Sequence, residues 1–376
     1  MQKNIQQSAL IKGKLPKSKI IYVINLMREK NINQILIFNP FDIFYLINRF
    51  IDPGDRFFCL YLNSNGTGKL FANKIFKLED EIINGVDKII YSDGDDPIKI
   101  FSDQTKKYRE EKMWVDKNLP ARFFLPIINK AFDIKKIFIS DILEQARLIK
   151  TIEEINFMRE SSELNDKVMG LLIKNIREGQ SELELEAILR RIKKDLNIEK
   201  FSFEPIIAFG KNAAEPHHVP NQTKLKPGDC IVIDIGFIKN NYCSDMTRTF
   251  FYKFVSEFDK KIYDIVLQAN LLAIEKIKPG IKFSEIDLAA RNFIKQNGYE
   301  KNFIHTTGHS IGLECHEFGT VSFRNQNKIK ENMIFSVEPG IYLENKIGVR
   351  IEDLILVNNN GCEVLNKFDK QIKVIN

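Results

Sequence analysis

Residues 233–245 read IDIGFIKNNYCSD and place two carboxylates, Asp234 and Asp245, eleven residues apart. Apolar and β-branched residues precede the first acid and follow the second, which is typical of two strands joined by a turn at residues 239–241. Aspartate favours turns over strands, and a buried carboxylate is costly unless it is paired or bound to a metal. The stretch therefore indicates a cation held between two strands or, alternatively, two acids that cap turns or meet a nearby arginine.

Length and composition limit the classes of protein to consider. With 376 residues, 44% of them hydrophobic, the chain can form two domains with real cores. The 56 basic and 50 acidic residues give a net charge of +6 without a basic block, which argues against a nucleic-acid partner. No run approaches the ~20 apolar residues of a membrane span. The first 19 residues also lack the apolar core of a signal peptide.

The cysteines give a prediction about the compartment. Five cysteines are present, and their spacing fits neither a metal finger nor a CxxC motif. We expect them to be buried or half-buried thiols of a reducing compartment. A cytoplasmic protein without a membrane partner is therefore predicted.

Two different patterns divide the chain. In residues 1–145, strand-like runs alternate with helical segments, which predicts an α/β domain. This part contains no histidine and no catalytic cluster, so we expect it to shape a substrate cleft or to form a dimer contact. The second domain, 146–376, opens with a capping-box pattern formed by Thr151 and Glu154 at the start of an amphipathic helix that should end at Gly179. Ser181 and Glu184 form the same pattern before the next helix.

The second domain contains an internal repeat. Residues 176–198 resemble residues 277–299 in having a glycine turn, an acidic helix start and an amphipathic helix. Each copy is followed by histidines, a lysine-containing turn and a strand pair that carries two acids. These acids are Asp234, Asp245, Glu338 and Glu352. Two such halves predict an α+β domain with pseudo-twofold symmetry and a shared site on its axis.

The histidines and acids together predict a metal site. All five histidines fall between residues 217 and 316, within the stretch that holds the four acids. A lone histidine is more often a core or surface residue, but this clustering favours a functional site. Four carboxylates with one imidazole suit Mn²⁺, Co²⁺, Fe²⁺ or Zn²⁺ in higher coordination. Two bridged ions about 3.5–4 Å apart would balance the charge and support metal-assisted hydrolysis.

Six segments carry a resemblance to a known family: AEPHH (214–218), VIDIG (232–236), YCSDMTRTF (242–250), HTTGHSIGLECHE (305–317), FSVEPGIY (335–342) and GVRIEDL (348–354). In this order and spacing, residues 150–365 resemble the pita-bread metallopeptidases, which include methionine aminopeptidase, aminopeptidase P and prolidase. The resemblance implies a creatinase-like α/β domain (1–145) followed by an α+β pita-bread catalytic domain (146–376). It also implies hydrolysis of the Xaa-Pro bond at the N-terminus of small peptides, by an Xaa-Pro aminopeptidase or an Xaa-Pro dipeptidase.

The resemblance further implies the metal ligands. Two divalent ions are expected, Mn²⁺ first, with Co²⁺ or Zn²⁺ as alternatives. Asp234 would bind one ion, while His309 and Glu338 would bind the other. Asp245 and Glu352 would bridge the two ions and hold a hydroxide between them.

The same resemblance assigns the catalytic residues. His217, directly after Pro216, occupies the catalytic position of the family, and His316 would contact the substrate carbonyl. Glu338 would relay a proton in addition to binding an ion. His218 is interpreted as an extra neighbour without a direct role.

Two residues would support the site, and three depart from the family pattern. Arg350 would orient a ligand carboxylate, and His305 would shape the cavity. Thr306 stands where the family prefers glycine, serine, tyrosine or arginine. Cys315 stands where the family prefers isoleucine or valine. Thr320 stands where some short prolidases carry an arginine for the proline carboxylate, although Arg324 is close by in sequence.

Three alternatives to a proline peptidase were weighed. The domain before the catalytic part and the PHH and HE motifs argue against a methionine aminopeptidase. A catalytically inactive binding module would typically have lost metal ligands, whereas all five positions are filled. Creatinase-like hydrolases share the fold but lack this ligand set. A homodimer is the expected assembly.

Overall fold

The computed structural model describes residues 19–83, 85–108, 110–130 and 134–376. The chain divides into two units, Met1–Arg147 and Leu148–Asn376. The expectation about a signal peptide concerns residues 1–19, and all but the last of these lie outside the described residues. Among the helices of the described ranges, none is long and apolar enough to cross a membrane.

The first unit is an α/β domain built on one mixed six-stranded sheet with the order β4-β3-β2-β1-β5-β6. Its strands are β1 Gln34–Ile37, β2 Cys59–Asn63, β3 Gly68–Asn73, β4 Asp87–Tyr91, β5 Lys112–Val115 and β6 Lys136–Ile139. Its helices are α1 Lys19–Glu29, α2 Pro40–Ile47, α3 Pro97–Thr105, α4 Ala121–Lys130 and α5 Ile142–Leu148. Asn39 begins α2 by accepting hydrogen bonds from two backbone N–H groups, and Pro40 follows at the first helical position. The predicted alternation of strands and helices is confirmed.

The second unit combines four helices with several short sheets. Its helices are α6 Ile152–Leu172, α7 Glu182–Asp195, α8 Glu257–Glu275 and α9 Phe283–Gln296. Its strands are β7 Lys200–Phe201, β8 Ile206–Phe209, β9 Cys230–Ile235, β10 Phe237–Lys239, β11 Tyr242–Cys243, β12 Met246–Tyr252, β13 Gly308–Ser310, β14 Glu317–Val321, β15 Ile334–Val337, β16 Gly340–Leu343, β17 Ile347–Arg350, β18 Asp353–Val357, β19 Cys362–Val364 and β20 Val374–Ile375. The two larger sheets have the orders β20-β12-β9-β8 and β14-β13-β15-β18-β19.

The helix starts follow their sequence signals. Both halves of the predicted capping box are present at Thr151 and Glu154, and a second box forms at Ser181 and Glu184 before α7. The first of these helices was expected to continue to Gly179, but α6 ends at Leu172 and passes through a short 3₁₀ turn. Gly179 lies in the following turn with φ +71°, a conformation that favours glycine.

Matching hydrogen bonds confirm the internal repeat. The N–H of Gly179 donates to the carbonyl of Leu225 at 2.9 Å, and the N–H of Gly280 donates to the carbonyl of Ile329 at the same distance. Isolated antiparallel bridges join Ser181 to Lys224 and Lys282 to Lys328. The same turn-helix-strand unit therefore occurs twice, which is the predicted pseudo-twofold arrangement.

The stretch of residues 233–245 crosses between two sheets. β9 pairs antiparallel with β12, and Thr247 lies opposite Asp234. Gly236 allows the chain to pass from β9 into β10, because a Cβ atom there would lie 2.2 Å from the carbonyl oxygen of Ser244. Asn240 and Asn241 then adopt positive φ angles of 51° and 68° and form the tight turn between β10 and β11.

Strand alternation determines the direction of the first acid. Ile231, Ile233 and Ile235 pack into the core that contains α6 and α7. Successive side chains of a strand point to opposite faces, so Asp234 lies on the other face of β9, together with Val232. That second face belongs to the core containing α8 and α9, which also includes Val337 and Ile351, the residues directly before Glu338 and Glu352.

Candidate metal centre

The five predicted ligands come together in one cavity of about 600 Å³. Asp234 lies in β9 and His309 in β13, while the other three lie at strand ends. Asp245 directly precedes β12, Glu338 directly follows β15, and Glu352 lies between β17 and β18. Strand ends from both halves of the repeat thus supply side chains to a single site.

Short distances join the ligands of the two halves. His309 Nε2 lies 3.6 Å from Asp245 Oδ2 and 3.3 Å from Glu338 Oε1. One possible ligand atom from each of Asp245, His309 and Glu352 lies within 4.8 Å of the other two. Such spacing leaves room for a cation among the three, because ligand atoms lie about 2.0–2.2 Å from a divalent zinc or similar ion.

The carboxylates have unused acceptor atoms. Asp234 Oδ1, Asp245 Oδ1 and Glu352 Oε1 are buried and have no hydrogen-bond partner among the residues described. Buried polar atoms are normally paired, so three unpaired oxygens in one cavity need a common partner. Oxygen-rich ligands with one imidazole fit a divalent ion such as Mn²⁺. The residues present therefore fit the metal that the sequence predicts.

The acids repel one another in the absence of a cation. Burial raises the pKa of Asp245 well above its usual range, and the nearby Asp234 and Glu338 raise it further. Burial, followed by the charge of Asp245, raises the pKa of Glu352 in the same way. A cation at this site would attract the carboxylates and so offset their mutual repulsion. Their ionised forms would then be favoured.

We expect the metal-free protein to lose stability as the pH rises. The folded-state pKa values of Asp245 and Glu352 exceed the unfolded values of about 4. At a pH between the unfolded and the folded pKa values, the native state therefore binds more protons than the unfolded state. This stabilisation is fully present below the unfolded pKa and is lost as the pH rises through the raised values. Thermal unfolding of metal-free protein between about pH 5 and pH 8 measures the effect, and added Mn²⁺ should stabilise most at the higher pH.

Asp245→Asn separates this effect from other titrating groups. The amide cannot ionise, so the metal-free variant should unfold a few degrees above the metal-free wild type near pH 8. Glu204→Gln, at an exposed acid lining the same cavity, is the matched control and should unfold like the wild type. An identical pH dependence in Asp245→Asn and the wild type would contradict the repulsion argument.

Arg350 joins ligands from both halves. Its Nη2 donates to Asp234 Oδ2 at 2.8 Å, and its Nε donates to Thr247 Oγ1 at 3.0 Å. The Thr247 hydroxyl in turn donates to Glu352 Oε2 at 2.7 Å. One buried guanidinium therefore fixes the orientation of Asp234 directly and that of Glu352 through Thr247.

The same guanidinium contacts two groups that neighbour His217 and His305. Arg350 Nη1 donates to Tyr342 Oη at 3.0 Å and to the carbonyl of Pro216, the residue before His217, at 3.1 Å. The Tyr342 hydroxyl lies 2.8 Å from His305 Nε2. Burial lowers the pKa of His305, so its imidazole is neutral near pH 7.

Arg350→Lys is expected to weaken Mn²⁺ binding by about 10–100-fold, the usual effect of losing an outer-shell partner of a metal ligand. A lysine has one ammonium group and cannot donate to Asp234, Thr247 and Pro216 with the fixed geometry of a guanidinium. Titration of metal-free protein with Mn²⁺ measures the affinity. Arg324→Lys, at an exposed arginine, is the control. Equal affinity in both variants would mean that Arg350 does not orient the ligands.

His217 and His218 both line the cavity but differ in burial and in their partners. His217 is exposed and lines the cavity. His218 is buried, with Nε2 2.8 Å from Glu182 Oε2 and Nδ1 3.0 Å from Glu215 Oε2. Burial alone would lower the pKa of His218, but its hydrogen bonds to Glu215 and Glu182 raise it above the ordinary value. His218 therefore anchors the loop that presents His217.

His316 lies beside His309. Their ring centroids are 4.1 Å apart, and both residues line the cavity. Burial lowers the pKa of His316, and the neighbouring His309 and His217 lower it further. Burial also lowers the pKa of His309. Near pH 7 both imidazoles are neutral, so His309 can bind a cation and His316 can donate an N–H.

The residues that depart from the family pattern line the cavity. Cys315 Sγ donates to Asp245 Oδ2 at 3.4 Å. Burial and the Asp245 carboxylate raise the pKa of this thiol. Thr320 also lines the cavity, whereas the exposed Arg324 lies over the ring of Phe323.

Sequence analysis missed two supporting residues in the site. Thr247 orients Glu352, and Ser336 Oγ donates to Glu338 Oε1 at 2.9 Å. Each lies two positions from a ligand, Thr247 after Asp245 and Ser336 before Glu338. Residues two apart in a strand share a face, so this spacing could have identified both.

Comparisons with known proteins agree with the fold. The model of Metallopeptidase family M24 matches residues 156–359, and the model of the Creatinase/Prolidase N-terminal domain matches residues 21–149. An uncharacterised peptidase of Staphylococcus aureus is 33% identical over 355 residues, which are 94% of this chain and 100% of that protein.

Two solved structures are similar along almost the whole chain. A prolidase from Thermococcus sibiricus has a TM-score of 0.89 and 33% identity, covering 96% of this chain and 100% of that one. An Xaa-Pro dipeptidase from Bacillus anthracis has a TM-score of 0.86 and 29% identity, covering 95% and 99%. The family match and the 33% identity over nearly the full length show that the chain belongs to Metallopeptidase family M24, with a creatinase/prolidase N-terminal domain before its catalytic domain.

Proposed function

We propose that this chain hydrolyses the Xaa-Pro bond at the N-terminus of short peptides. The reaction would use two divalent ions, and Mn²⁺ is the first candidate for their identity. The observation that carries the proposal is the set of three unpaired, buried carboxylate oxygens beside His309 in one cavity. The names of the similar solved structures, a prolidase and an Xaa-Pro dipeptidase, support proline as the recognised residue. The proposal covers two alternatives, an Xaa-Pro aminopeptidase and an Xaa-Pro dipeptidase.

The ligands divide between the two ions. Asp234 would hold one ion, His309 and Glu338 the other, and Asp245 and Glu352 would bridge them. Ions held by these residues would supply an activated water molecule and would polarise the scissile carbonyl. Arg350 and Ser336 keep the ligand carboxylates in position through the hydrogen bonds described above.

Three residues of the chain act on the reacting groups. Glu338 takes the proton of the attacking water and passes it to the proline nitrogen as the peptide bond breaks. Its orientation for this transfer is fixed by the Ser336 hydroxyl. His217 and His316 donate hydrogen bonds to the carbonyl oxygen, where negative charge develops in the transition state. The neutral state of His316 leaves it an N–H for this purpose.

The cavity wall suits an apolar ring beside the scissile bond. Apolar side chains that line it are Leu183, Phe203, Pro205, Ile206 and Val219. A volume of about 600 Å³ is in the range of sites that enclose a small ligand.

A peptide assay with added Mn²⁺, Co²⁺ or Zn²⁺ tests the proposal. Xaa-Pro and Xaa-Pro-Yaa peptides are compared with matched Xaa-Ala peptides, and we expect proline to be preferred by at least about tenfold in kcat/KM, the scale of a difference in apolar shape. The ratio of the dipeptide to the tripeptide rate decides between dipeptidase and aminopeptidase. Cleavage after an N-terminal methionine without a proline preference would indicate a methionine aminopeptidase. Full metal binding without cleavage of any peptide would indicate a binding module.

A further inference from the structure

Cys315, His309 and His316 surround one point of the cavity with a sulfur and two imidazoles. The thiol sulfur and one nitrogen of each ring lie within 4.8 Å of one another. A tetrahedral zinc ion with bonds of about 2.0–2.3 Å would bring such atoms to about 3.4–3.6 Å apart. Rotation of the side chains can supply this small contraction, because His316 is exposed and Cys315 is only half-buried.

We propose that Cys315, His309 and His316 form a binding site for one thiophilic divalent cation, such as Zn²⁺. We call these three residues the Cys315 site. A sulfur with two imidazole nitrogens is a soft ligand set that selects zinc and cadmium over manganese. The carboxylate ligands of the same cavity are hard and discriminate less between zinc and manganese.

A cation can reach this site from solvent. All three residues line the cavity, and His316 is exposed within it. Cys59, Cys230 and Cys243 are buried, by contrast. The thiol that lies beside two imidazoles is thus also one that a dissolved ion can contact.

Binding at the Cys315 site would compete with the carboxylate centre. His309 Nε2 faces Asp245 Oδ2 and Glu338 Oε1 at 3.6 Å and 3.3 Å, so one imidazole is shared between two possible cation positions. A zinc ion held by Cys315 would withdraw His309 from the ion that it shares with Glu338. It would also occupy His316, which under the proposed function donates to the substrate carbonyl.

The charge and proton balance of the step is simple. The Cys315 thiol donates a hydrogen bond to Asp245 Oδ2, with 3.4 Å between Sγ and the oxygen. The cation forms a bond to sulfur as this proton leaves to solvent, so one proton is released for each ion bound. No electron is transferred, and no further reactant is required.

The test adds Cd²⁺ to the full-length protein loaded with Mn²⁺ and follows the thiolate-to-cadmium charge-transfer absorption in the ultraviolet. We expect a band equivalent to one thiolate per chain in the wild type and its loss in Cys315→Val. Cys362→Ser removes the other half-buried cysteine and is the matched control, which should keep the full band. The absence of a band in the wild type, or an equal band in Cys315→Val, overturns the proposal.

A second variant tests the imidazoles. His316→Ala should keep a saturable band but require at least about tenfold more Cd²⁺, equivalent to losing about 1.4 kcal/mol of binding. An unchanged affinity would show that His316 is not a ligand and would overturn the three-residue site. Because this readout is the absorption of the cadmium-thiolate bond, it does not depend on peptidase activity.

Inhibition by zinc connects the site to the proposed function. Excess Zn²⁺ should inhibit the Mn²⁺-loaded wild type at a concentration at least about tenfold lower than it inhibits Cys315→Val, each relative to its own zinc-free rate. A Cys315-dependent band in a protein that cleaves no Xaa-Pro peptide would leave the site standing and refute the proposed function alone. Peptidase activity without a Cys315-dependent band would refute the Cys315 site alone.

Discussion

Asp245→Ala and Glu352→Ala are each expected to lose both metal ions and to lower kcat/KM by about 10³-fold or more, because polarisation by the ions supplies several kcal/mol to the transition state. Each residue is buried, has an unpaired oxygen and is proposed to bridge the two ions. Elemental analysis of protein loaded with Mn²⁺ or Co²⁺, followed by the peptide assay, measures both effects.

The control for these variants addresses folding as well as binding. Removing one acid relieves the repulsion within the metal-free cluster, so loss of the ions should not come with loss of the fold. Thermal unfolding of the metal-free variants checks this point, and Glu204→Gln should retain both ions. Loss of only one ion from Asp245→Ala or Glu352→Ala would show that the bridging assignment is wrong. If the wild type itself binds only traces of metal, the proposed enzyme function fails.

His217→Ala and His316→Ala are expected to keep most of the bound metal and to lower kcat by about 10²-fold or more, which is the scale of losing one donor to an oxyanion. Both residues line the cavity, and neither belongs to the ligands proposed for the two catalytic ions. His309→Ala should instead lose metal, because its Nε2 lies among the ligand carboxylates. Metal content and kcat, measured side by side on the variants, separate the two roles.

His218→Ala is the matched comparison for His217→Ala. Its side chain is held between Glu182 and Glu215, so we expect a smaller effect on kcat and a lower stability, by about 1–3 kcal/mol, from leaving a buried partner group unsatisfied. Thermal unfolding measures the second effect. If His218→Ala remains folded but loses most of its kcat, while His217→Ala keeps a near-normal kcat, the roles of the two histidines must be exchanged.

Local patterns predicted several of the elements correctly. The capping boxes at Thr151 and Ser181 place the starts of α6 and α7, because the groups that satisfy the first turn lie within three residues of each other. Alternation along β9 separates the three isoleucines from Asp234. The repeat could be detected because each half uses the same short turn, helix and strand pair.

Local patterns were less reliable for the ends of elements. The helix that begins at Ile152 was expected to run to Gly179, but it ends at Leu172. The strand Gly68–Asn73 was not predicted at all, although all six of its residues are buried in the sheet. Both outcomes depend on which neighbours pack against the segment, and a window of sequence does not contain that information.

The sequence by itself determined the order of elements, the repeat and the residues that could bind a metal. Only the tertiary structure decided which side chains contact one another. Arg350 contacts Asp234 and Pro216, and His218 contacts Glu182. Cys315 lies beside His309 and His316. Arg350 and Asp234 are 116 residues apart in the chain. Contacts across such separations depend on the pairing and packing of distant strands, whereas periodicity reports only the face on which each side chain lies.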